Sequence, residues 1–162
     1  MSGLEDLYRE IILDHYRNPR NRGELPCPPA HRFDGFNPLC GDEVVVYVDL
    51  GPEGEVADIR IDGQGCSISQ SSASMMSAAV KGRPAAHARD MIRAFKAMMS
   101  IHEYQLDGEG NEVGEAVAPD SEIDLGDLEA LRGVVKFPVR IKCATLPWNT
   151  LAQAVEQAAP TS

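Results

Sequence analysis

Glu43-Val44-Val45-Val46-Tyr47-Val48-Asp49-Leu50-Gly51-Pro52-Glu53-Gly54-Glu55-Val56-Ala57-Asp58-Ile59-Arg60-Ile61-Asp62 is the stretch that decides the fold. Its first eight residues are dense in β-branched side chains, which fit a pleated, half-buried surface. Gly51-Pro52-Glu53-Gly54 supplies the residues of a turn. The chain then returns with Ala57, Ile59 and Ile61 alternating against Asp58, Arg60 and Asp62. A period of two with one apolar side predicts an antiparallel hairpin with one face buried.

Outward from the hairpin the pattern changes to helical. Upstream, Ser2-Gly3-Leu4-Glu5 forms a capping box, and Leu4, Leu7 and Ile11 follow at helical spacing. Asn18-Pro19 ends that helix near Arg17, because proline cannot continue it. Residues 18–38 are rich in Pro, Gly and Asn and read as an irregular segment. Downstream, Gly63-Gln64-Gly65 breaks the second strand, with room for a short third strand after Cys66. A helix capped by Ser69 or Ser71 runs through Met75, Met76 and Val80 to Gly82, a natural residue beyond a helix end. Pro84 opens another, with Ala88, Met91, Ile92, Phe95 and Met98 as its apolar stripe. Leu125, Leu128 and Leu131 suggest a short helix ended at Gly133. Thr145 caps a last helix bearing Trp148, Leu151, Ala152, Val155 and Ala158 on one side. Strands precede helices without βαβ alternation. The expected class is α+β: a small antiparallel sheet with helices packed over one face, in a single domain of 162 residues.

The net charge of −10 is concentrated in one place. From Glu103 to Leu131 there is no Lys or Arg, and ten carboxylates; the remainder carries 15 acids and 15 bases. Such a segment is a solvated acidic loop or a docking surface for a basic partner. Neither suits nucleic acid. No run reaches the ~18 apolar residues of a membrane span. The acidic N-terminus lacks a signal-peptide pattern, so a cytoplasmic location is expected.

Four cysteines in a reducing compartment point to ligands or nucleophiles more than to disulfides. Three stand in distinctive surroundings: Asn37-Pro38-Leu39-Cys40-Gly41-Asp42, Gly63-Gln64-Gly65-Cys66-Ser67-Ile68-Ser69 and Phe137-Pro138-Val139-Arg140-Ile141-Lys142-Cys143. Gly-flanked loops can aim a thiolate, and Cys143 falls where a strand-like run meets a helix-like one. Three thiolates with the Asp42 carboxylate suit a tetrahedral site for a thiophilic ion. The competing reading is three buried, inert thiols, with Asp42 as a turn residue bonding its own backbone. Cys27, held extended in Pro26-Cys27-Pro28-Pro29, reads as a bystander. His15 lies near the apolar side of the first helix as a packed or capping side chain, and the methionine pairs read as core. Arg140 and Lys142 flank Cys143, on one side of an extended run with Cys143 opposite unless the chain turns at Ala144. Cations there would lower a thiol's pKa. Ordinary surface charge is the alternative.

Tyr8, His15, Asn18-Pro19-Arg20-Asn21, the three cysteine motifs, Ser72-Ala73-Ser74-Met75-Met76 and Arg140-Ile141-Lys142-Cys143 together resemble the U-type iron–sulfur cluster assembly proteins, the IscU/SufU family. The resemblance runs from Leu4 to about Val155. It implies a SufE/NifU-like fold: a three-stranded antiparallel sheet, helices on one side and the cysteines clustered at one end. It also implies a metal site of Cys40, Asp42, Cys66 and Cys143, with Arg140 and Lys142 as modulators. Scaffold-type members usually carry His before the last Cys, where this chain has Lys142. The acidic stretch at about 101–124 resembles the insertion of SufU-type members. A SufU-like reading implies a zinc-dependent sulfurtransferase. It would accept sulfur on Cys40 from a pyridoxal-phosphate-dependent cysteine desulfurase and pass it to a downstream iron–sulfur scaffold or acceptor protein. The alternatives are a scaffold that assembles a transient [2Fe–2S] cluster or holds iron on the same residues, and a structural zinc module.

Overall fold

A computed structural model describes residues 3–27, 30–38, 41–106, 126–136 and 138–158. The order of elements is α1 (Gly3–Arg17), β1 (His31–Asn37), β2 (Asp42–Leu50), β3 (Val56–Gln64), α2 (Ser67–Val80), α3 (Ala85–Leu106), a 3₁₀ segment (Gly126–Lys136) and α4 (Pro138–Ala158). The strands form one antiparallel sheet in the order β1-β2-β3. Helices α4 and α2 cover one face of it, with α1 and α3 packed against them. This is the α+β arrangement expected from the sequence.

The inward side of β2 is Val44, Val46 and Val48, each at most 1% exposed. On β3 the inward residues are Val56, Ile59 and Ile61, not Ala57, which is exposed. The cause is a register shift: Asp49 pairs with Asp58 but Leu50 with Val56, so Ala57 is an extra residue. An inserted residue reverses the in–out parity beyond it. Phe95 of α3 and Trp148 of α4 stack with centroids 4.8 Å apart, and both are fully buried. Burying each such side chain contributes roughly 1.5–3 kcal/mol. Ser72 of α2 ties this centre together: its hydroxyl donates to the Ala144 carbonyl at 2.6 Å and accepts from the Trp148 indole N–H at 3.1 Å.

Four sequence expectations need correction. The third strand is His31–Asn37, inside the segment read as irregular, and not a strand after Cys66. As an edge strand it is mostly exposed, so it shows little apolar alternation. Helix α2 starts at Ser67 with Cys66 in the capping position, ahead of both expected caps, Ser69 and Ser71. The 3₁₀ segment runs past Gly133 to Lys136; Leu128 and Leu131 are buried as expected, and Leu125 lies outside the described residues. The last helix starts at Pro138, not Thr145, so Val139 to Cys143 are helical and not extended. Proline in the first turn is pre-organised for a helix. Pro147 sits inside α4 without ending it.

His15 is packed, as expected. It is 3% exposed, with Nδ1 2.7 Å from Ser74 Oγ and Nε2 3.1 Å from Asp127 Oδ2. The methionine pairs are core. Ser2 of the capping box and residues 107–125 of the acidic stretch lie outside the described residues. Among the described residues no helix is long and apolar enough to cross a membrane.

Candidate metal centre

The site lies at the end of the sheet where β1 turns into β2. Asn37 and Asp42 pair across the ladder there. Gly41, at φ +71°, donates its N–H to the Asn37 carbonyl at 2.9 Å. Asp42 therefore enters β2 already fixed by the sheet, and it is completely buried. At the far end of β3, Gly63 (φ +115°) lies against the Glu43 backbone, where a side chain would collide. Gly65 lies beside the Asp42 carboxylate; a Cβ there would be 2.5 Å from Asp42 Oδ1 and 2.7 Å from Ser69 Oγ. These glycines bring Cys66 to the carboxylate. The Cys66 N–H donates to Asp42 Oδ1 at 2.9 Å, one of the N–H groups that a helix start leaves without an internal partner. The third member comes from α4, whose second turn delivers Cys143, fully buried.

One oxygen of Asp42 and the sulfurs of Cys66 and Cys143 all lie within 4.8 Å of one another. Tetrahedral zinc with bonds of about 2.3 Å to sulfur needs donors roughly 3.8 Å apart. The observed donors, all within 4.8 Å of one another, exceed that spacing by roughly an ångström at most. Burial would push the Asp42 pKa up. The Cys66 amide, the thiols of Cys143 and Cys66 and the Ser69 hydroxyl outweigh it and hold the carboxyl below its ordinary value. A buried anion facing two thiols has the charge and donor chemistry a divalent thiophilic ion requires.

Two residues outside the expected ligand set complete the surroundings. Asn37 is buried, and its amide stands 3.5 Å from Asp42 Oδ2 and 3.8 Å from Cys143 Sγ. Ser69 donates to the Cys66 carbonyl at 3.2 Å. Asn37 was legible as the far foot of the loop ending in Asp42, but nothing local marks its side chain as facing Cys143. Arg140, one helical turn before Cys143, reaches its sulfur at 4.0 Å. Lys142 is exposed and lines a separate groove with Asn37 and Asn149. The two cations thus diverge, because α4 is helical and rotates adjacent residues by about 100°. Cys27 is exposed and is not part of the cluster. Cys40 lies outside the described residues.

A buried carboxylate and two converging thiols, on a three-stranded sheet backed by helices, make an α+β domain whose clustered donors could hold a metal ion. The chain belongs to the family of NifU-like N-terminal domains, whose family profile matches residues 7–144. It is 44% identical over 155 residues to the zinc-dependent sulfurtransferase SufU of Bacillus subtilis (strain 168), covering 95% of this chain and 92% of that one. It is 35% identical over 159 residues to the iron–sulfur cluster assembly scaffold protein IscU of Streptococcus pyogenes serotype M1, covering 98% and 89%. Among solved structures it resembles an iron–sulfur cluster assembly scaffold protein for the SUF system from Fervidobacterium islandicum AW-1. The TM-score is 0.70 at 29% identity, over 90% of this chain and 94% of that one.

Proposed function

We propose that this protein is a zinc-dependent sulfurtransferase of iron–sulfur cluster assembly. It accepts persulfide sulfur from a pyridoxal-phosphate-dependent cysteine desulfurase in the cytoplasm and yields it to a downstream scaffold or acceptor protein. The observation that carries this reading is the convergence of Asp42, Cys66 and Cys143 within 4.8 Å, in a chain 44% identical to a zinc-dependent sulfurtransferase. Cys40, from the Gly41 corner next to Asp42, is the fourth ligand and the sulfur acceptor.

Bound zinc would keep the coordinating thiols deprotonated near neutral pH. This chain's own residues do the rest. The Cys66 amide orients the Asp42 carboxylate. Asn37 and Arg140 place N–H donors around Cys143, which marks that sulfur as a held ligand. Cys40 as a thiolate attacks the outer sulfur of the desulfurase persulfide. The new S–S bond forms as the old one breaks, and the desulfurase cysteine leaves as a thiolate with no net redox change.

The scaffold reading, in which a [2Fe–2S] cluster is the cargo of the same residues, is favoured by the 35% identity to an IscU scaffold. One experiment separates them. Zinc-loaded protein should stimulate sulfide release by a cysteine desulfurase, Cys40→Ala should abolish the stimulation, and mass spectrometry should find the added sulfur on Cys40. No stimulation by zinc-loaded protein, with a coloured transferable cluster on iron-loaded protein, would replace this reading with the scaffold.

A further inference from the structure

The joint that carries Cys66 is bridged by a side chain from the connection between α1 and β1, that of Arg22. The Arg22 backbone is pinned to β3 on both sides. The Ile61 N–H donates to the Asn21 carbonyl at 2.9 Å, and the Gly23 N–H donates to the Ile61 carbonyl at 3.0 Å. From this fixed base the guanidinium reaches toward the metal centre. Its Nη2 donates to the Gly63 carbonyl at 2.8 Å and to Asp62 Oδ1 at 3.2 Å. Its Nη1 donates to Gln70 Oε1 at 3.1 Å. The first two partners stand at the end of β3, and the third stands in the first turn of α2.

Cys66 lies between those feet, after Gln64 and Gly65. Glycine gives up more backbone freedom on ordering than any other residue, so such a joint opens easily unless it is held. On the strand side, Asp62 Oδ1 also accepts the Gly63 N–H at 2.8 Å, so Arg22, Asp62 and Gly63 form one bonded unit. On the helix side, the Gln70 N–H donates to the Cys66 carbonyl at 3.0 Å. A planar guanidinium with donors in fixed directions can span the two sides, and an ammonium cannot. The side chains of Arg22 and Asp62 are 41% and 38% exposed, and an ion pair that exposed contributes little by itself. The reach of the guanidinium across the joint is therefore the feature to explain, and it acts on local opening.

We propose that Arg22 is a positioning residue for Cys66. It braces the strand-to-helix joint, keeps the Cys66 sulfur against Asp42, and so sets how fast that side of the centre releases metal. The proposal rests on the zinc-dependent sulfur-transfer reading, to which it adds a residue that governs ligand release; the brace itself belongs to the metal-free chain as well.

The test uses the full-length protein and two readouts. The first is zinc release to excess EDTA, followed with a zinc indicator dye. Arg22→Gln should release zinc about fivefold faster, the effect of one net hydrogen bond. Gln70→Ala should do the same, and the double variant should be no faster than Arg22→Gln alone. Gln70→Glu, which keeps an acceptor for the guanidinium, should hold the parent rate. The second readout is alkylation of Cys66 by iodoacetamide in metal-free protein, counted by mass spectrometry, in which the same variants should rank the same way. Arg93→Gln, whose ion pair with Asp90 lies within α3, is the control and should match the parent in both. Where zinc is held, both readouts must respond; where it is not, the alkylation series decides. Parent-like rates in Arg22→Gln overturn the proposal. So does a parent-like Gln70→Ala, which would leave Arg22 acting on β3 alone, and so does an equal effect of Arg93→Gln. If the rates rank as expected but zinc-loaded parent gives no desulfurase stimulation, the brace stands and the sulfur-transfer reading fails.

Discussion

Cys66 and Cys143 meet at one site but are held in opposite ways. Cys66 is half-buried at a strand-to-helix junction, with extended backbone (φ −74°, ψ 168°) and glycines before it. Cys143 is fully buried inside a helix that packs on β1, β2, α2 and α3. The first sulfur sits on a joint tied to Asp42 through its own N–H and otherwise to the first turn of its own helix. The second cannot move without disturbing the core. A centre made of one adaptable and one immobile thiol can change ligands on one side while keeping its anchor on the other.

The largest effect should come from removing either sulfur. Cys66→Ala and Cys143→Ala should each lower zinc affinity by more than about a hundredfold, since even outer-shell changes cost up to that much. Cys27→Ser should leave zinc content unchanged by elemental analysis. The comparison sharpens in metal-free protein, where Cys143→Ala should lower urea stability and Cys66→Ala should barely change it. If Cys27→Ser loses zinc as fully as Cys66→Ala, the ligand set is wrong.

Next is the support under the immobile thiol. Ser72→Ala leaves the Trp148 indole N–H without its acceptor and the Ala144 carbonyl without its hydroxyl donor. Orphaning buried polar groups should cost about 2–3 kcal/mol in denaturant unfolding. An effect below about 0.5 kcal/mol would mean that α4 does not depend on this link.

The joint under Cys66 is probed by Gly65→Ala. Its methyl would meet Asp42 Oδ1 and Ser69 Oγ, and overpacking of this kind costs about 1–3 kcal/mol. The cobalt-loaded variant should show a shifted visible spectrum. An unchanged spectrum and stability would show that the junction yields freely.

The smallest effect is one of pH. Asp42 has its carboxyl held below the ordinary 3.8. A depressed folded-state pKa adds stability that is full above the unfolded value and lost as pH falls through the folded one. In metal-free protein, the stability lost below pH 3.8 should therefore be smaller in Asp42→Asn than in the parent. Parallel pH profiles for the two would remove Asp42 from this account.

The hairpin, α1, α2 and α3 were legible because their periodicities are long and their stops are proline or glycine. The Asp42–Cys66–Cys143 cluster was legible only as a possibility, since sequence places the three far apart and topology joins them. What misled was residue type read without packing. Val139 and Ile141 look like alternating strand residues, yet Pro138 starts a helix and the burial of Cys143, Ala144, Trp148 and Leu151 sustains it. His31–Asn37 carries too few apolar residues to announce a strand, because an edge strand with one partner has little to bury. Asn37 escaped notice as a site residue for a related reason: its neighbour across the cluster comes from 106 residues away.

Asn21 is the one non-glycine residue among those described with a positive φ, at +57°. Its amide donates to Ser77 Oγ at 3.0 Å, and its backbone carbonyl accepts the Ile61 N–H at 2.9 Å. Gly23 then donates to the Ile61 carbonyl at 3.0 Å. The outer rim of β3 is thus occupied at its middle by three residues of connecting chain. A bare rim is a template on which another molecule's strand can grow into an aggregate. The left-handed turn at Asn21 serves colloidal stability: it parks a short, twisted guard on the rim where a fourth strand would otherwise add.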